Sequence, residues 1–204
     1  MQGVSLKNVG IEIRSHGKTV YRDFGEMLFT HFGVSGPTIL SASSHMRGCD
    51  FSDTVLLIDL KPALDEQKLD ARLLADFRTF ANKDFVSELG QLLPQKMILP
   101  FAERICIDPH KKVHDITKAE RAALRRALKS FTVPIAGFRP LQDASVTAGG
   151  ISVRDVTPGT MESRLVGGLF FAGEVLDLDA YTGGYNLQIA FSTARLAVDH
   201  AVLT

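Results

Sequence analysis

The stretch with the most chemical content lies near the C-terminal end. Gly173-Glu174, then Asp177 and Asp179, then Gly183-Gly184 stand in that order ahead of a run of helix-forming residues. A helix N-terminus carries unpaired N–H groups and a partial positive charge. Glycines there let a flat or anionic ligand approach the backbone closely. Carboxylates beside it can accept hydrogen bonds from ligand hydroxyls, as acidic residues do for ribose in dinucleotide folds. The same spacing suits a tight β–α connection in which the glycines serve turn geometry alone, so spacing by itself leaves both readings open.

Other chemical motifs fail on inspection. No two glycines stand two residues apart, so no Gly-x-Gly-x-x-Gly exists in the chain. Gly17-Lys18-Thr19 resembles the end of a P-loop, but that motif needs glycine where Glu12 stands. His110 and His114, with Asp108 and Asp115, have a metal-like spacing inside what reads as a solvated loop, and no third ligand is fixed. No metal site is expected. His31 and Ser35 lack the Gly-x-Ser-x-Gly elbow of a hydrolase. His31 is the single weak candidate for a catalytic group. Arg121, Arg125, Arg126 and Lys129 read as the wet face of a helix.

The elements that must position these residues fall into three zones. Residues 4–9 and 10–14 alternate apolar and polar side chains, as two half-buried strands do. Residues 15–18 form a hairpin turn before a strand at 19–21, and residues 27–30 suggest another. A glycine-rich loop, residues 33–37, leads into a short helix with Pro37 at its first position. Residues 55–60 read as a buried strand. Next come four helices: one carrying Leu69, Leu73, Phe77, Phe80 and Ala81, one capped by Asp84 and carrying Phe85, Leu89, Leu92 and Leu93, one over residues 95–106 broken or kinked at Pro100, and one opened by the capping box Thr117 to Glu120. Residues 131–137 return to β character, with Pro134 demanding an edge or a bulge. The apolar run between Gly168 and Gly173 reads as a strand buried on both faces. Residues 185–202 read as a final helix packed through Leu187, Ala190, Phe191, Ala194 and Ala197.

Composition narrows the class. The chain has 204 residues, 23 basic and 23 acidic, so its formal net charge is zero. A dedicated nucleic-acid or acidic-membrane binder would show a basic excess. Polar residues interrupt every apolar run well short of the ~20 residues of a membrane span. Two distant cysteines, Cys49 and Cys106, form no disulfide framework and fit a reduced, cytoplasmic setting. Residues 1–10 lack the pattern of a secretory signal.

Three blocks together carry a family resemblance. They are Gly25-Glu26-Met27-Leu28-Phe29-Thr30-His31-Phe32-Gly33-Val34-Ser35-Gly36-Pro37, then Val146-Thr147-Ala148-Gly149-Gly150-Ile151, then Thr160-Met161-Glu162-Ser163 through Gly173-Glu174 and Asp177 to Gly183-Gly184-Tyr185-Asn186-Leu187-Gln188. In this order they resemble the BaiN-like (YhiN-type) bacterial flavoproteins, labelled NAD(P)/FAD-dependent oxidoreductases. The resemblance implies an α+β fold. Residues 1–62 and 131–145 would form a β-barrel-like insert domain, residues 63–130 a helical subdomain, and residues 146–204 the C-terminal strand–helix segment of a Rossmann-type FAD-binding domain.

The resemblance also implies a cofactor, FAD, with NAD(P)H as a further small-molecule partner and an unspecified substrate. Gly173, Glu174, Asp177, Gly183, Gly184, Tyr185 and Asn186 would then be cofactor-binding residues. Asp177 would meet the ribitol, and the backbone N–H groups of Gly184, Tyr185 and Asn186 the pyrimidine edge of the ring. Family members begin with a Rossmann half that this chain lacks. The chain is therefore expected to be a fragment, flavin-free and inactive alone, with that half as its natural partner and an uncovered surface prone to self-association. The alternative is a non-enzymatic binding or assembly module.

Overall fold

The computed structural model describes residues 1–201; Val202, which the sequence reading placed in the last helix, lies outside them. The chain forms two compact units, Met1–Ala136 and Gly137–Thr204.

The first unit is built on an open, curled five-stranded sheet, every neighbouring pair antiparallel, in the order β3-β2-β1-β4-β5. Its central strand β1 (Ser5–Ser15) pairs with β2 (Lys18–Phe29) as a hairpin. His16 and Gly17 at the turn both have positive φ, 49° and 73°, as a two-residue hairpin loop requires. The two short strands expected within residues 4–14 are one. Leu6 and then Val9, Ile11 and Ile13 are buried, so the inward parity changes between Leu6 and Val9. An extra residue in β1 at that point, a bulge, restores the inward face.

Strand β3 (Val34–Ser35) pairs with the end of β2, and helix α1 (Pro37–His45) then packs back on β2. Pro37 opens the helix as expected. Two glycines allow the close approach. A Cβ on Gly25 would lie 2.8 Å from Thr38 Cγ2, and one on Gly36 would lie 2.9 Å from Met27 Cα. Gly36 also has φ +103°, which L side chains rarely adopt.

Strand β4 (Thr54–Asp59) pairs with β1, and the chain then makes four helices before returning as β5 (Phe131–Pro134) on the far edge. Pro134 sits on that edge strand, where a missing N–H does not interrupt the sheet. Helix α2 (Glu66–Thr79) buries Leu69, Leu73 and Phe77 and is capped by Asp65, whose side chain accepts from Lys68 N at 2.7 Å. Helix α3 (Phe85–Leu89) is shorter than the expected segment; Asp84 holds its N-cap position but makes no cap bond, because its carboxylate takes Lys112 Nζ at 2.8 Å instead. Helix α4 (Gln95–Arg104) continues through Pro100 without a break. The lost bond at Pro100 is offset by a buried face of Met97, Ile98, Phe101 and Ala102. Helix α5 (Lys118–Lys129) opens with the full capping box between Thr117 and Glu120.

The basic residues of α5 are not a simple wet face. Arg121 reaches Asp70 of α2 at 3.1 Å, Arg125 reaches Glu66 and Asp70 at 3.6 and 3.7 Å, and Lys129 meets Asp59 at 2.6 Å. Arg126 alone of the four is exposed. Acidic residues near the start of α2 and at the end of β4 turn most of this cluster into cross-links between elements.

The second unit has a small core of Val156, Met161, Leu176 and Ala197, with Ile151, Phe170 and Leu196 packed against it. Its one long element among the described residues is helix α6 (Tyr185–Ala201). The run at 168–173 is not the doubly buried strand expected. It makes one isolated bridge, Glu162↔Phe170, and Leu169 is 42% exposed. A strand buried on both faces lies in a sheet covered on each side, whereas this run pairs with one segment among the described residues and leaves Leu169 open to solvent.

Candidate functional site

The candidate site is built where two chain segments cross beside the start of α6. Residues 147–151 run alongside residues 173–177. Ile151 N donates to Val175 O at 2.8 Å and Asp177 N to Ile151 O at 2.9 Å, forming a parallel bridge. The two carboxylates singled out from sequence reinforce this crossing. Glu174 Oε1 accepts from Thr147 N at 3.2 Å, and Asp177 Oδ1 accepts from Gly149 N at 3.1 Å. Gly149-Gly150 and Glu174–Asp177, far apart in sequence, thus form one backbone-pinned unit.

The loop after Asp177 is closed by Asn186. Its Oδ1 accepts from Ala180 N and its Nδ2 donates to Ala180 O, both at 2.8 Å. This is a two-bond clamp from the first turn of α6 back to the loop. Gly183 (φ +121°) and Gly184 (φ +92°) lie between, in backbone conformations that favour glycine. Gly184 O accepts the first helical bond, from Gln188 N at 3.0 Å. The first-turn N–H groups of Tyr185, Asn186 and Leu187 have no intrahelical acceptor by helix geometry. They provide the positive pole to which an electron-rich ligand edge can bind.

Thr193 is a positioning residue that sequence reasoning missed. Its Oγ1 accepts from Gly173 N at 2.9 Å while sitting within reach of Ile189 O at 2.7 Å. A threonine bonding the carbonyl four residues back is the available signal, but its second partner lies twenty residues away.

Gly173, Glu174 and Asn186 line a cavity of about 220 Å³ together with Ser145, Val146 and Leu178. Asp177, Gly183, Gly184 and Tyr185 stand around this loop rather than in the cavity wall. His31 lies in the other unit, in the exposed turn between β2 and β3, its ring edge-on to Phe32 at 4.9 Å. The structure does not give it a carboxylate or hydroxyl partner among the described contacts.

Helix α6 turns inward only part of the expected stripe, Ala190 and Ala197. Asn186, Ile189, Ala190, Thr193, Leu196, Ala197 and His200 are the covered positions. Of the expected stripe, Leu187 and Phe191 are 64% and 70% exposed. With Val198 they make an apolar stripe on the uncovered side, and Leu187 also lines the cavity.

An open antiparallel sheet with a four-helix excursion, joined to a glycine-rich loop ahead of a long helix, defines a composite domain class. The family model described as "HI0933-like protein barrel and H2TH domain" matches residues 1–146, and the chain belongs to this family, in line with its resemblance to BaiN-like flavoproteins. It is 32% identical over 196 residues to a ribosomal RNA dihydrouridine synthase of Escherichia coli, covering 95% of this chain and 45% of that protein. It is 30% identical over 181 residues to a 3-dehydro-bile acid delta(4,6)-reductase of Clostridium scindens, covering 86% of this chain and 43% of that protein. A ribosomal RNA dihydrouridine synthase of Haemophilus influenzae is 30% identical over 178 residues, covering 87% and 42%. The chain spans less than half the length of these curated relatives. No helix among the described residues is long and apolar enough to cross a membrane.

Proposed function

We propose that this chain is the part of an FAD-dependent reductase that carries the substrate-side insert and one end of the flavin cradle. The observation that carries the reading is the crossing at Gly149-Gly150 and Glu174–Asp177 beside the glycine-led start of α6. It is a cradle pinned by backbone hydrogen bonds, beside the unpaired first-turn N–H groups of α6. The cavity of about 220 Å³ is below the ~300–1,000 Å³ of complete ligand sites. It suits one end of a dinucleotide, with the remainder held by other polypeptide.

In this reading residues 1–62 and 131–145 are the barrel-like insert, residues 63–130 the helical subdomain, and residues 146–204 the returning segment of a Rossmann-type domain. Gly173, Glu174, Asp177, Gly183, Gly184, Tyr185 and Asn186 shape the cofactor edge. Asn186 and Thr193 hold the loop in place. Asp177, which accepts from Gly149 N, would hold the ribitol side of the cofactor. The N–H groups opening α6 stabilise negative charge on the pyrimidine side of the ring and so favour its reduced form. When bound, the flavin would supply the hydride for reduction.

The relatives' names support a substrate class. Making dihydrouridine, and reducing a bile acid at positions 4 and 6, both add hydrogen across a carbon–carbon double bond activated by a carbonyl. An electron-poor alkene of that kind is the substrate type this reading favours, in the cytoplasm, where Cys49 and Cys106 stay reduced.

The test is cofactor retention. The 204-residue chain alone should purify colourless and inactive. Co-expressed with the remaining length found in the relatives, it should carry flavin with its visible absorption. A completed protein that stays colourless in excess FAD would sink the reading. The exposed Leu187, Phe191 and Val198 face favours a second reading, an assembly module, and a partner bound without any flavin would support that one instead.

A further inference from the structure

Glu88 is a carboxylate inside the core of the helical region. The residue is 1% exposed, and among the described residues neither Oε1 nor Oε2 has a hydrogen-bond partner. It projects from α3 between Phe85 and Leu89, both fully buried. The start of α3 is tied down by backbone bonds, Phe85 N to Lys111 O and Val86 N to Pro109 O, each at 2.9 Å. Nothing comparable satisfies the Glu88 side chain. Burying an ionised carboxylate without a partner is costly, so such a group gives up its charge instead.

The charged groups acting on it come from α2 and from the turn before α3. Asp76 repels a negative charge at Glu88, while Arg72 and Lys83 favour one. Both cations are already engaged. Arg72 Nε bonds Asp76 Oδ2 at 2.6 Å, and Lys83 Nζ lies 4.7 Å from the centre of the Phe80 ring. Desolvation is the largest influence and pushes the Glu88 carboxyl up from 4.5 to about 7.

We propose that Glu88 is a proton-operated latch on α3: in its neutral form it keeps the Phe85–Glu88–Leu89 face packed, and on losing its proton it drives that face to open toward Arg72 and Lys83. The packed state binds the extra proton, so opening increases as pH rises from the ordinary carboxyl value toward the raised one, and levels off above it. The latch is independent of flavin and of the cradle in the other unit.

Hydrogen exchange on the α3 amides of the whole chain tests it, corrected for the intrinsic pH dependence of exchange. Between about pH 5.5 and about pH 7.5 the opening constant should rise roughly 20-fold, with α5 amides as an unaffected control. Glu88→Gln should abolish the pH dependence. Carbon NMR of the wild-type Glu88 carboxyl gives an independent reading that needs no variant. A carboxyl titrating at its ordinary value, or the same pH dependence of α3 exchange in Glu88→Gln, would overturn the proposal.

Discussion

Gly150 and Val175 meet so closely that a Cβ on Gly150 would lie 2.3 Å from the Val175 carbonyl oxygen. The neighbouring atoms are backbone, which cannot rotate aside, and Gly150 holds φ +145°. Its glycine identity is therefore set by the chain crossing it. That crossing brings Gly149 to Asp177 and Thr147 to Glu174.

Gly150→Ala should destabilise the second unit by about 3 kcal/mol, combining backbone strain with a direct clash. Urea denaturation followed by a probe in α6 will measure it. A variant as stable as wild type would show that residues 147–151 do not pack on residues 173–177.

Asn186→Ala removes both bonds to Ala180 and leaves that loop without its clamp. The expected loss is about 1–2 kcal/mol. Limited proteolysis should cut the loop between Asp177 and Gly183 faster than in wild type, and the completed protein should hold flavin less tightly.

Thr117→Ala breaks the capping box of α5 and should lower stability by about 1 kcal/mol, with Thr117→Ser restoring most of it. Thermal melts of the three proteins give the comparison. An unchanged midpoint in the alanine variant would mean that the cross-links to α2 hold α5 unaided.

Glu12 bonds Arg14, Thr19 and Arg22 on the sheet, at 2.6, 2.6 and 2.9 Å. The Arg14 hydrogen bond is the leading reason its carboxyl falls from 4.5 to about 2. A depressed carboxyl stabilises the fold above its unfolded value, and this contribution is lost as pH falls from 4.5 toward 2. The loss should be about 1–2 kcal/mol, since both arginines face solvent and screening weakens them. Glu12→Gln should flatten the acid limb of the stability profile.

The exposed stripe on α6 should make the isolated chain self-associate. Phe191→Lys with Val198→Lys should return it to monomer in sedimentation velocity with under about 0.5 kcal/mol change in stability. A wild-type chain that stays monomeric at all concentrations would remove the reason to assign that face a partner.

Sequence by itself determined the local features. The hairpin at His16-Gly17, Pro37 opening α1, the capping box at Thr117 and the edge placement of Pro134 each depend on a few adjacent residues and their backbone preferences. The order of the glycine-rich blocks was equally legible. Tertiary structure decided what those residues face. The bulge that merges two apparent strands depends on β2, and the pairing of Arg121 and Arg125 depends on α2. The inward face of α6 follows Asn186, Ile189, Thr193 and Ala197 rather than its most apolar stripe. An apolar periodicity records which faces avoid water, but not which polypeptide covers them; that is fixed only when distant segments meet. Glu88 is the sharpest case, an ordinary glutamate in sequence whose charge is governed by the core closed around it.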